Sequence, residues 1–321
     1  MKTIKFWFLT ATSLIILGVM LFCFSACSTD WNFRKLFGQE YDTKTHEITQ
    51  EFNSFDIDTD TANILFTPSN DGKCTVECFE KEKVNHSVSV QDGKLTIRTI
   101  DERKWYDHIQ FFDFAKDKIT VYLPQIKYAD LCIQTGTGDV EILENFSFED
   151  IDIKGSTGDL RIENITANYV SLTRSTGDIH AKNITAKSLA LSVSTGNIFA
   201  ESITLETTLT AKTSTGDARL TNLTCNAFSF DGSTGKVELK NVVATQSFNI
   251  NNKTGNVTFE SCDAGEISVT TSTGDITGSL LSEKIFIVDS GTGRIDVPKT
   301  ITGGKCELTA STGNIIIQIQ P

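Results

Sequence analysis

From Val140 onward the chain alternates apolar and polar residues in short runs, and the runs recur at a fixed interval. In the segment Ser156 to Arg174 (STGDLRIENITANYVSLTR), Leu160, Ile162, Ile165, Val170 and Leu172 are the apolar positions after Gly158. The next unit places Ile179, Ala181, Ile184, Leu189 and Leu191 at the same offsets, and the unit after Gly216 places Ala218, Leu220, Leu223, Phe228 and Phe230 there. Period-2 alternation over short segments predicts strands, and no helical period fits. Each unit reads as two or three strands joined by tight turns. A unit of 19 or 20 residues cannot bury its apolar face alone, but stacked units can.

The punctuation of the pattern is a periodic series of ten Xaa-Thr-Gly triplets. Its glycines are Gly138, Gly158, Gly177, Gly196, Gly216, Gly235, Gly255, Gly274, Gly293 and Gly313, spaced by 19 or 20 residues throughout. Glycine suits a turn whose backbone conformation other residues reach at a cost. Asp or Asn follows in eight copies, and Lys236 and Arg294 stand there in the other two. Such short side chains brace turn backbone by hydrogen bonds. A column of acids also admits a calcium reading, but one acid per turn, twice replaced by a base, is unlike the denser calcium-binding repeats. The fold expected is all-β: a single-chain parallel β-solenoid with coils of ~19–20 residues, preceded by one apolar N-terminal helix.

Three segments follow from this: 1–29 as a membrane anchor or signal, 30–134 as an irregular β capping region, and 135–321 as the regular solenoid. Lys2 and Lys5 precede an uncharged run from Phe6 to Ala26, long enough to span a bilayer as a helix with its N-terminus inside. Alternatives are a cleaved signal or a lipoprotein, because Phe24-Ser25-Ala26-Cys27 resembles a lipobox with Cys27 as the lipidated residue. All three put the β-rich part outside the cytoplasm. Within 30–134, Asp60-Thr61-Ala62-Asn63-Ile64 looks like a degenerate copy of Ser-Thr-Gly-Asp-Ile, Gln91-Asp92-Gly93 suits a hairpin turn, and Ile119–Leu123 reads as a strand ended by Pro124. Pro321, just after Ile315–Ile319, is expected to blunt the last sheet edge.

Net charge is -12, or -14 once Lys2 and Lys5 are set aside, which argues against a nucleic-acid partner and against anionic surfaces. The eight cysteines make no evident disulfide framework or zinc motif. The four histidines are scattered, and no nucleophile–base order stands out. The segment Arg103 to Phe114 concentrates aromatic residues, and Trp105, Tyr106, Phe111 and Phe112 are the candidate binding residues, set against a role as rings buried over the solenoid end.

The apolar anchor, Asp30-Trp31-Asn32-Phe33, the stretch Asp58–Ala62, Arg103-Lys104-Trp105-Tyr106 and the serial Ser-Thr-Gly-Asp turns together resemble the bacterial "putative adhesin" β-strand-repeat family. Its members are often membrane-anchored and include proteins of cell-envelope stress operons. The resemblance implies a non-enzymatic, envelope-anchored binding or scaffold protein with an envelope protein or glycan as partner. The alternatives are an accessory or sensor component of an envelope-stress system, and a glycan-processing β-helix enzyme.

Overall fold

The computed structural model describes residues 11–20, 41–81, 83–103 and 117–320. Residues 11–20 are helical. No helix among the described residues is long and apolar enough to cross a membrane, and the rest of the run Phe6–Ala26, with Cys27, lies outside them.

The other described residues are strand, turn and short connection, wound into a parallel β-solenoid of about 10 turns. Each coil brings one strand up to the Thr-Gly turn and sends another away from it. Strands before the turn stack on one another: Tyr169–Thr176 pairs in parallel with Ser188–Thr195, with Val170 opposite Leu189 and Leu172 opposite Leu191. Strands after the turn form a second ladder, in which Leu160–Thr166 pairs with Ile179–Ala186. Register follows from the alternation, because a slip by one residue would turn every inward Ile, Leu and Val to solvent. The inward positions merge into one continuous core from Phe55 to Ile317.

Two corners make each coil possible. At the Thr-Gly turn, Gly177 to Gly274 and Gly313 have φ of 123–149°, and each packs on the glycine of the adjoining coil. A Cβ at Gly235 would lie 2.0 Å from the Gly216 carbonyl oxygen, so the turn needs both the conformation and the missing side chain. The second corner is made by Asn164, Asn183, Asn222 and Asn241, with Ser202 and Ser261, all at φ 51–57°. Asparagine tolerates this left-handed conformation better than most residues. Asn183 Nδ2 donates to Asn164 Oδ1 at 3.0 Å, and Asn241 Nδ2 to Asn222 Oδ1 at 2.9 Å. The recurrent Asn-Ile-Thr wording thus has a backbone cause.

The coils are not stacked in chain order at either end. The strand Gly304–Thr312 lies between Ile267–Thr273, the end of an earlier strand, and Lys284–Thr292. Likewise Ile315–Ile319 lies between Ile276–Leu280 and Ile295–Asp296. The coil of Gly313 is therefore inserted beneath the coil of Gly293. Gly303 and Gly304 permit the passage, since a Cβ would come within 1.8 Å of the Glu283 carbonyl oxygen or 1.7 Å of that of Gly265. This corrects the expectation that Ile315–Ile319 ends the stack: the outermost strands are Lys284–Thr292 and Ile295–Asp296, so a proline after Ile319 cannot blunt the last edge.

At the other end, Ser54–Thr59 sits between Lys94–Asp101 and Lys127–Thr137. Asn63–Pro68 sits between Lys118–Leu123 and Val140–Ile142. Beyond that layer the strands reverse: Val84–Gln91 runs antiparallel to Lys94–Asp101, while Cys74–Lys81 lies antiparallel between Lys118–Leu123 and Tyr41–Ile48. Asp92 and Gly93, at φ 50° and 72°, form the hairpin turn.

Candidate functional site

Two outward faces of the solenoid differ in chemistry because the alternation leaves every second residue free to vary. On the post-turn face, ion pairs link neighbouring coils: Arg161 to Glu141 at 3.5 Å, Lys182 to Glu201 at 3.2 Å, Arg219 to Glu238 at 2.7 Å and Lys240 to Glu260 at 2.6 Å. His180 stacks on Phe199 in the same row, with centroids 4.7 Å apart. Such exposed pairs stabilise little but fill the surface with long side chains.

The pre-turn face carries short ones except at Lys212. Ser171, Ala190, Thr210, Ser229, Asn249 and Ser268 occupy one row, and Thr173, Ser192, Lys212, Asp231, Asn251 and Thr270 the next. Along the turn edge the triplet threonines stack in register from Thr137 through Thr273 to Thr312 and Thr292, all exposed. Adjacent rungs are about 4.8 Å apart, so the hydroxyls form a flat lattice.

At its N-terminal end this lattice deepens into a groove of about 500 Å³ lined by Asp58, Asp60, Gln134, Lys154, Thr173 and Ser175 around Gly155. Lys154 pairs with Asp152 at 2.5 Å, which raises its pKa. Behind the groove floor the Arg174 side chain, 1% exposed, occupies the room that a side chain at Gly155 would need. Its Nη2 donates to the Asp159 carbonyl at 3.3 Å, while Nε and Nη1 have no hydrogen-bond partner. Burial lowers its pKa, opposed by the nearby charges of Asp139 and Asp159.

The acids of the turns are engaged in the stack. Asp139 Oδ1 accepts the Asp159 amide at 2.8 Å, Asp159 Oδ1 the Asp178 amide at 3.0 Å, and Asp178 Oδ1 the Asn197 amide at 2.7 Å. The column begins at Asn63, whose Oδ1 accepts the Asp139 amide at 3.0 Å, so Thr61-Ala62-Asn63 is the first turn of the series. It ends at Arg294, whose amide donates to Asn314 Oδ1 at 2.9 Å with no further coil among the described residues to serve. These contacts support the turn-bracing reading of the column over the calcium one.

Trp105, Tyr106, Phe111 and Phe112, the sequence candidates for binding, lie outside the described residues. Cys132 is half-buried between Asp56 and Asp152 in register, whereas Cys74, Cys78, Cys225, Cys262 and Cys306 are buried and unpaired in disulfides. Sequence reading missed one cluster: Cys78, Glu80 and His86 meet in the N-terminal cap. Only the alternation of Cys78 with Glu80 hinted at it. It also missed the pre-turn lattice, whose signal was the small polar residues at every second position.

A profile of the Toastrack DUF4097 family matches residues 52–210 and 201–320, and the chain belongs to that family. No curated protein matches it. Among solved structures it is similar to a "putative adhesin" from Bacteroides fragilis NCTC 9343 (20% identity, TM-score 0.43, covering 87% of this chain and 97% of that one). It is also similar to a "putative adhesin" from Parabacteroides distasonis ATCC 8503 (15%, TM-score 0.40, 87% and 98%) and to a "putative lipid binding protein" from the same organism (13%, TM-score 0.42, 86% and 97%).

Proposed function

We propose that this Toastrack DUF4097 member is a non-enzymatic binding scaffold, held at the cell membrane by its N-terminal apolar segment, that presents the pre-turn face to a neutral glycan of the envelope. The observation that carries the reading is the flat lattice of mainly Ser, Thr and Asn side chains, with Ala190, Lys212 and Asp231 among them, one rung per coil, beside a polar groove. Rigidly held hydroxyls and amides present donors and acceptors with little side-chain entropy to lose on binding. The acidic net charge disfavours anionic polymers.

The test is binding of the detergent-solubilised chain to purified neutral and anionic cell-wall polysaccharides. Changing both Thr210 and Asn249 to Arg should weaken binding to the neutral polymer by at least tenfold, a loss of ~1.4 kcal/mol. Arg219→Glu on the post-turn face should leave binding unchanged. Equal binding by the face variant, or no neutral polymer bound at all, would overturn the reading.

A second reading has one observation in its favour: Asp58 and Asp60 stand in the groove, and paired carboxylates serve glycan hydrolysis. Both are exposed, whereas a carboxyl acting as general acid is usually desolvated. Release of reducing ends by the wild type, lost in Asp58→Asn, would favour the enzyme.

A further inference from the structure

The N-terminal cap concentrates ligand-type side chains that the pre-turn face does not use. Strand Cys74–Lys81 alternates, with Val76, Cys78 and Glu80 buried. The reversal that sets Lys81 opposite Val84 folds the next strand back, so that His86 meets Glu80. A ligand atom from each of Cys78, Glu80 and His86 lies within 4.8 Å of the other two, and the residues are 0%, 1% and 5% exposed.

The geometry suits a tetrahedral cation. His86 Nδ1 stands 3.2 Å from Glu80 Oε1, close to the ~3.3 Å between two ligands each bound at about 2.0–2.1 Å. A thiolate, an imidazole and a carboxylate are the donor mixture that zinc and its neighbours take, in contrast to the all-oxygen shells of calcium and magnesium. On its outer side Glu80 Oε2 faces Lys44 Nζ at 2.9 Å, and that ammonium also donates to Asn85 Oδ1 at 2.7 Å. The Lys44 side chain is 43% exposed and can swing into solvent, and one water would complete a four-ligand shell.

We propose that Cys78, Glu80 and His86 form a binding site for one divalent cation of the zinc class, which staples strand Cys74–Lys81 to strand Val84–Gln91 of the cap. On binding, the Cys78 thiol loses its proton to solvent, sulfur bonds to the metal, and the Lys44 ammonium leaves Glu80; no electron is transferred.

The probe is Co(II), titrated into the purified full chain in detergent with Cys23, Cys27 and Cys132 replaced by Ser to reduce competition from other thiols. The expected result is one equivalent bound, with a thiolate-to-cobalt charge-transfer band and tetrahedral visible bands, displaced by Zn(II). His86→Ala should weaken binding beyond the roughly 10–100-fold that loss of an outer-shell partner costs, and Cys78→Ser should abolish the charge-transfer band. Lys44→Gln, which removes the competing cation and leaves the ligands intact, should strengthen binding several-fold. No charge-transfer band with the triple-Ser chain and none with the wild-type chain would overturn the proposal, and the wild-type readout does not depend on any variant folding. A band that survives both Cys78→Ser and His86→Ala would overturn it too.

Discussion

The two ends of the solenoid solve one problem differently. At both, an outer layer is laid down two rungs away and a separate segment fills the gap: Ser54–Pro68 at the N-terminal end and Gly304–Ile319 at the C-terminal end. Past the outer layer they part. The N-terminal end continues into antiparallel strands, and Cys74–Lys81 and Val84–Gln91 take up the backbone groups that a parallel ladder would leave open. The C-terminal end stops at Lys284–Thr292 with Ile285 and Ile287 45% and 51% exposed, and no strand among the described residues pairs with its far side. A parallel stack has no internal stop signal, so reversing strand direction closes it, and filling the gap from the chain's own tail secures the layer beneath an open edge.

The largest effect should come from removing residues 300–321. If coils were stacked in chain order, this would trim one end. Here it withdraws the layer that buries Cys306, Leu308, Ala310, Ile315 and Ile317, each large side chain worth ~1.5–3 kcal/mol. Hydrogen exchange should show amides of 284–296 losing protection together with the deletion, while those of 84–101 at the other end keep theirs. Retained protection over 284–296 would break the comparison. Next in size is Gly235→Ala, deep in the stack at φ 145° with a carbonyl 2.0 Å from the new methyl, expected to cost more than about 4 kcal/mol. Gly72→Ala, at φ 74° but with nothing within 4 Å, should cost about 1 kcal/mol by urea denaturation.

How far these features could be read beforehand depended on whether spacing encodes them. The Thr-Gly period fixes coil length, and the apolar columns through Leu160, Ile179 and Ile198 follow at once. Spacing is blind to the order in which coils stack, because Gly293 and Gly313 are separated by the same 20 residues as serial neighbours. The clue was local, the Gly303-Gly304 pair, and its meaning depends on Gly265 and Glu283 being alongside. The left-handed Asn corner was written in every Asn-Ile-Thr, yet without φ the words resemble glycosylation sites. The Cys78–Glu80–His86 cluster was invisible because its members belong to two strands of an antiparallel cap, not to one spaced motif.

A smaller effect compares the ends through their buried thiols. Burial pushes Cys74 in the cap and Cys306 in the inserted strand up to about 12, and Cys225 and Cys262 between them to about 11, from 9.0. The folded chain keeps these protons while the unfolded chain loses them near pH 9. The unfolded state then binds fewer protons, so stability is level below pH 9 and declines above it. Each thiol contributes up to ~1.4 kcal/mol per pH unit until its folded pKa is reached. Urea midpoints between pH 8 and 10.5 should show the decline, and Cys74→Ala and Cys306→Ala should each flatten it. If only the Cys74 variant does so, the inserted strand is not shut off from solvent as the cap is.

The smallest effect concerns the column of turn acids, where the stacking order makes a prediction that chain order would not. Asp178 Oδ1 accepts both the Asn197 amide at 2.7 Å and the Asn197 side-chain amide at 3.1 Å. Asp178→Ala leaves that half-buried turn amide without its acceptor and should cost about 1–2 kcal/mol. Arg294 occupies the equivalent position of the outermost coil and has no coil above it among the described residues to serve. Its guanidinium pairs locally, with Asp296, on an exposed surface. Arg294→Ala should therefore cost less than about 0.5 kcal/mol, and Asn314→Ala should cost more than Arg294→Ala, because Asn314 Oδ1 accepts the Arg294 amide at 2.9 Å. In a stack built in chain order Asn314 would be the terminal residue and Arg294, whose guanidinium only donates, could brace no neighbouring turn, so the two variants would cost about the same. Thermal unfolding of the Arg294 and Asn314 variants side by side thus reads the order of the last two coils directly.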